Sequence, residues 1–92
     1  MGMKIKRQVT VINKLGLHAR ASAQLVKLAS AYASDVRLTL GNQSVDGKNI
    51  MGLMMLAATY GSQIMVTVEG EDADQAIGRI DALFSERFGE PE

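Results

Sequence analysis

The chain of 92 residues has no cysteine and no tryptophan, one proline, one histidine, two tyrosines and two phenylalanines. Without cysteine there is no disulfide, no thiol nucleophile and no thiolate-ligated zinc or iron–sulfur centre. A lone histidine rules out any site needing two imidazoles from one chain, and neither a metal nor a cofactor is expected. The four rings, Tyr32, Tyr60, Phe84 and Phe88, all fall in segments that read as helices or helix ends. A sheet of this kind binds nucleic acid by stacking bases on strand aromatics, so no nucleic-acid partner is expected. The longest apolar run, Ile50 to Ala58 with Gly52 inside it, is about half of the ~18 residues a membrane span needs. Lys4, Lys6 and Arg7 have no apolar run behind them, so they do not open a signal peptide. Lys6 stands where a myristoylation signal needs Ser or Thr. Met1-Gly2 ahead of Met3 reads as a cloning remnant, with residues 1–3 expected to be disordered. A soluble cytoplasmic protein, with no insertion into membranes, is the expectation.

What is there has the balance of a folded domain. Hydrophobic residues make up 47% and charged residues 22%, close to globular averages. The length allows one domain over residues 1–92. The net charge of zero hides an asymmetry: up to Lys48 there are eight cations against two carboxylates, and from Asn49 two against eight. Such polarity either steers an acidic partner or anion, or draws the two halves together across the fold.

Periodicity sets out the elements. Lys4 to Ile12 alternates as a half-buried strand, with Ile5, Arg7, Val9 and Val11 on one face. Asn13 to Gly16 is a loop. From Ala19 to about Ala33, Ser22, Leu25, Val26, Ala29 and Tyr32 fall at helical spacing. Val36, Leu38 and Leu40 alternate, Gly41-Asn42 turns the chain, and Gln43 to Asp46 returns as a short strand. Asn49 to Ala58 reads as a short helix with Ile50, Leu53, Met54 and Ala57 on one face. Ile64, Val66 and Val68 mark a fourth strand. In the last helix Ala73, Ala76, Ile77, Ile80, Leu83, Phe84 and Phe88 form a stripe. Asp72 and Gln75 have capping-box spacing, and Gly89 and Pro91 end the helix. The order is βαββαβα, an α+β chain that buries its stripes as one sheet with helices on one face.

Phosphate-cradling glycine motifs are missing. What remains is Gly16-Leu17-His18-Ala19-Arg20, where the only histidine stands at the start of a helix. A helix N-terminus offers unpaired N–H groups and partial positive charge, which suit an anion. A neutral imidazole there is a nucleophile, and Arg20 can bring a guanidinium fork to the same anion. These are the parts a phosphohistidine carrier needs. On the residues alone, a plain surface histidine and a solvated arginine are the more usual case.

The stretch Asn13-Lys14-Leu15-Gly16-Leu17-His18-Ala19-Arg20-Ala21-Ser22-Ala23 closely resembles the active-site segment of the HPr phosphocarrier family of the bacterial phosphotransferase system. Lys48-Asn49-Ile50-Met51-Gly52-Leu53-Met54 resembles the same family's regulatory segment. The resemblance implies an open-faced sandwich, a four-stranded antiparallel sheet with three helices on one side. It implies that His18 takes a phosphoryl group on Nδ1 from phosphorylated Enzyme I and passes it to a IIA protein, as a stoichiometric carrier and not an enzyme. Arg20 and the backbone N–H of Ala19 would hold the phosphoryl oxygens. Two departures stand out. Ala21 replaces the proline common after the arginine. Asn49 replaces the family's regulatory serine, so no serine switch is expected there, although asparagine still suits an N-cap.

The resemblance also puts partner docking beside His18. Leu17, Ile50, Met51 and Met54, with Asn49 and Lys27, are the expected docking residues, the first four as an exposed apolar patch. Met suits a surface that must fit several partners. Lys27 would pair with acidic partner groups or is an ordinary solvated lysine. A monomer is expected. The competing readings are an HPr-like regulator that binds partners without carrying phosphate and an unrelated small-ligand module. Sugar uptake and a nitrogen-related regulatory branch are equally compatible with the sequence.

Overall fold

A computed structural model describes residues 2–92. Strand β1 (Met3–Thr10) is followed by helix α1 (Ala19–Ser30), strands β2 (Asp35–Leu40) and β3 (Gln43–Asp46), helix α2 (Ile50–Leu56), strand β4 (Gln63–Gly70), helix α3 (Ala73–Ser85) and a 3-10 turn, Arg87–Gly89. Met3 pairs with Gly70 as the first residue of β1, so the expected disordered start does not extend to it. Met1 lies outside the described residues.

The sheet runs in the order β1-β4-β2-β3, every pairing antiparallel. Its apolar rows follow from strand alternation. Ile5 lies opposite Val68, Val9 opposite Ile64, Val36 opposite Val68, and Leu38 opposite Val66. Those rows meet Leu25 and Ala29 of α1, Leu53 and Leu56 of α2, and Ala76, Ile77, Ile80 and Phe84 of α3 in one core. The helices thus cover one face and leave the other open, as the βαββαβα order predicts. Arg7 belongs to the apolar row by register but is exposed at the sheet edge, where it reaches Asp81 of α3 at 3.1 Å. Each recorded ion pair joins the cation-rich half to the acid-rich half. The charge asymmetry therefore draws the chain together.

Strand β1 stops at Thr10, short of Ile12, α2 spans only Ile50–Leu56, and three further element ends depart from the periodicity. Helix α1 stops at Ser30, short of Ala33. Ala31 N–H and Tyr32 N–H reach back only three residues, to Leu28 O and Ala29 O, and the N–H groups of Ala33 and Ser34 go instead to the Asp72 carboxylate. Asp72 does not cap α3 with its side chain, so the predicted capping box does not form. Phe88 continues the apolar stripe of α3 in sequence but not in helix. Arg87 and Phe88 adopt positive φ of 57° and 55°, and that bend puts the Phe88 ring edge-on against Phe84 at 4.9 Å between centroids. Left-handed backbone costs roughly 1–2 kcal/mol per non-glycine residue, so about 2–4 kcal/mol for the pair, and burial of the Phe88 side chain returns about 1.5–3 kcal/mol of it. Beyond this bend the chain returns toward the loop before α1, and Lys14 N–H donates to Glu92 O at 3.0 Å.

Candidate functional site

The loop from Asn13 to Leu17 is pinned to the end of α2. Leu17 N–H donates to Ala58 O at 2.9 Å. Gly16 sits at φ +68°, and a Cβ there would come within 2.4 Å of the same carbonyl oxygen. Glycine is therefore required by both the backbone and the close approach. The side chain of Leu17 is buried at 4% exposure, packed in the core. It does not belong to an exposed patch, because the residue just before a helix cap faces inward to anchor the chain's entry.

That anchoring leaves His18 as the N-cap of α1, in extended conformation and with no side-chain capping bond. The first helical bond is Ser22 N–H to His18 O at 2.9 Å, so the N–H groups of Ala19, Arg20 and Ala21 precede the helical ladder. There is no acidic residue in the first turn. Ser22 Oγ donates to Leu17 O at 3.0 Å and closes the corner from inside.

The imidazole is part-buried, and its Nε2 lies 2.5 Å from Oε2 of Glu90. Glu90 is buried, with 6% exposure. Its other oxygen accepts from Asn13 Nδ2 at 3.1 Å, and Asn13 Nδ2 also donates to Gly16 O at 2.8 Å. Arg20 Nη1 approaches Glu90 Oε2 at 3.8 Å while most of its side chain stays in solvent. Burial pushes the Glu90 carboxyl up, but the bonds from His18 and Asn13 and the charges of His18 and Arg20 outweigh it and hold the group below its ordinary value of 4.5. Asn13 Oδ1 is buried without a hydrogen-bond partner. Beside these groups a shallow depression is lined by Lys14, Leu15, Arg20, Glu90, Pro91 and Glu92.

His18, Ala19 and Arg20 are thus together, and sequence reasoning missed Asn13 and Glu90. Asn13 was quoted only within a motif. Glu90 follows a glycine near the chain's end with no periodicity to mark it. Lys27, exposed in the last turn of α1, lies seven residues beyond Arg20, on the same helix face and about 10 Å along the axis. Asn49 caps α2, its side chain accepting from Gly52 N–H at 3.2 Å. Leu53 and Leu56 face the core, while Ile50, Met51, Met54 and Met55 are exposed. Ile50, Met51 and Met54 are thus exposed as expected, while Leu53, grouped with Ile50 and Met54 by helical spacing, turns to the core. Ala57 turns left-handed at φ 53° and ends the helix, leaving room for only one row of inward residues. Among the described residues no cluster could hold a metal ion, and no helix is long and apolar enough to cross a membrane.

A family model described as the PTS HPr component phosphorylation site matches residues 5–86. The chain belongs to the HPr family. The HPr phosphocarrier of Cupriavidus necator is 48% identical over 88 residues, covering 96% of this chain and 99% of that protein. The phosphocarrier NPr of Shewanella violacea is 40% identical over 87 residues, covering 95% and 96%. The crystal structure of HPr-C-His from Thermoanaerobacter tengcongensis superposes with a TM-score of 0.92 at 34% identity, covering 96% of this chain and 99% of that one. Membership of the HPr family makes the chain a phosphocarrier of the phosphotransferase system.

Proposed function

We propose that His18 is the phosphoacceptor, that it takes the group on Nδ1 from phosphorylated Enzyme I, and that it passes the group to a IIA protein of a sugar-uptake or nitrogen-related regulatory branch. One observation carries this reading: the only imidazole of the chain stands at a helix start that no side chain caps. A phosphoryl group on that ring meets the free N–H groups of the first turn, including Ala19, and an arginine whose fork is free to swing. The chain acts as a stoichiometric, monomeric carrier in the cytoplasm and needs no cofactor. Partners dock on the exposed side of α2, through Ile50, Met51 and Met54, with Met55 added to the patch, Asn49 at its edge and Lys27 meeting acidic groups. A regulator that only binds partners would need that patch but not an imidazole at an open helix start.

The test is incubation with phosphoenolpyruvate and Enzyme I followed by intact mass. The expected result is one phosphoryl increment, acid-labile and base-stable, that disappears in His18→Ala. No increment with an Enzyme I active on another HPr would refute the reading.

A further inference from the structure

Among the described residues, the carboxylate of Glu90 is the one acidic group that touches the imidazole. Its setting dictates what it can do. Asn13 spends both hydrogens of Nδ2 on Gly16 O and Glu90 Oε1. Turning that amide over would set its oxygen against the Gly16 carbonyl, so Asn13 is fixed as a double donor. The oxygen of residue 90 facing Asn13 must then accept, and the remaining Oε2 faces His18 Nε2 at 2.5 Å. An ionised carboxylate has no hydrogen of its own to give. The proton in that contact therefore comes from the ring.

We propose that Glu90 is a positioning residue for phosphoryl transfer: it holds the proton of His18 on Nε2 and so leaves the Nδ1 lone pair free to attack. This rests on His18 being the phosphoacceptor. In the step itself the Nδ1–phosphorus bond forms. The bond from phosphorus to the donor atom breaks, and that atom leaves with its electron pair. The Nε2 proton stays on the ring, whose positive charge then faces the Glu90 carboxylate, much as a buried carboxylate orients and steadies the imidazole of a hydrolase triad. Arg20, only 3.8 Å from the same oxygen, is loosely held and can turn to the phosphoryl group.

The arrangement makes an isosteric replacement worse than truncation. In Glu90→Gln, Asn13 claims the amide oxygen and the amide nitrogen faces Nε2. The ring must then accept there and carry its proton on Nδ1, which removes the nucleophile. Glu90→Ala leaves the ring unbiased. A purely structural role predicts the opposite order, because glutamine preserves shape and alanine does not.

The experiment measures ring nitrogen chemical shifts and the rate of phosphoryl acceptance from phosphorylated Enzyme I in the wild type, Glu90→Gln and Glu90→Ala. Residue 90 lies beyond the last helix, and circular dichroism checks that both variants fold. The expected result is an Nε2-protonated ring in the wild type, an Nδ1-protonated ring in Glu90→Gln, and acceptance by Glu90→Gln about fivefold slower than by Glu90→Ala, the worth of one net hydrogen bond. The proposal is overturned if Glu90→Gln keeps the wild-type tautomer, or if it accepts as fast as Glu90→Ala. Failure of the wild type to accept phosphate would sink the His18 reading and with it the positioning role that rests on it. Loss of the tautomer difference alone would sink only the role of Glu90.

Discussion

The starts of α1 and α2 make an instructive pair. Both helices begin at a polar residue in extended conformation, and both lie within the residues that the HPr family model matches. At α2, Asn49 closes its own helix by accepting from Gly52 N–H. At α1, His18 makes no such bond and its ring turns toward the tail of the chain. The difference separates two uses of one structural element. A capped start spends its free N–H groups on stability, about 1 kcal/mol per good cap. An uncapped start keeps them for an anion. The start of α3 adds a third case: Asp72 stands at the cap position but turns its carboxylate to Ala33 and Ser34, tying down the end of α1.

The contrast can be broken by exchanging the caps. His18→Asn gives α1 the residue that serves α2. Phosphoryl acceptance is lost completely, and amide exchange at Arg20 and Ala21 slows because the new side chain accepts from them; unchanged exchange would mean that the corner cannot hold a cap. The next largest effect is expected at Gly16. Gly16→Ala forces a Cβ against Ala58 O in left-handed backbone and should cost roughly 1–3 kcal/mol or more in urea unfolding. Substitution of Asn49 by alanine should cost about 1 kcal/mol, with intact mass still showing full phosphoryl loading at saturating Enzyme I. A loss of loading there would erase the distinction between the two helix starts.

The mildest test is acid. The Ser34 hydroxyl and the Ala33 N–H hold the Asp72 carboxyl below its ordinary value of 3.8 against a smaller upward push from burial, and Glu90 is also held low. A lowered carboxyl stabilises the fold above its ordinary value, and that contribution fades as pH falls through the lowered one. Urea midpoints should therefore be steady near neutrality and decline below about pH 4.5, and Asp72→Asn should show a shallower decline. An equally steep decline in Asp72→Asn would leave the acid response to Glu90 alone.

Much of this was legible in the residues because it is local. Alternation gave the strands, the apolar stripes gave the helices, and the histidine–arginine spacing placed the candidate site. What escaped was set by distance and by backbone. Leu17 looked like a docking residue because it adjoins His18, yet its side chain anchors the helix entry. The exposure of Ile50 and Met54 was expected, but the inward row of α2 is Leu53 with Leu56, because a helix of 7 residues ending in a left-handed turn rests on those two. Asp72 had the spacing of a capping box and found stronger donors in another loop. Glu90 is one of many carboxylates in the second half, and only the bend at Arg87 and Phe88 reveals which one reaches the imidazole.

That bend also makes one contact of the site depend on the whole fold. Glu90 lies 72 residues from His18, so their contact closes only once α3 has docked on β1 and the tail has folded back. Bringing such distant parts of a chain together costs loop-closure entropy that local elements do not incur. A half-folded copy would carry the imidazole and the arginine but would lack the carboxylate beside them. With the proposed role of Glu90, the ring of such a copy would carry its proton on either nitrogen, and only the finished fold would fix it on one.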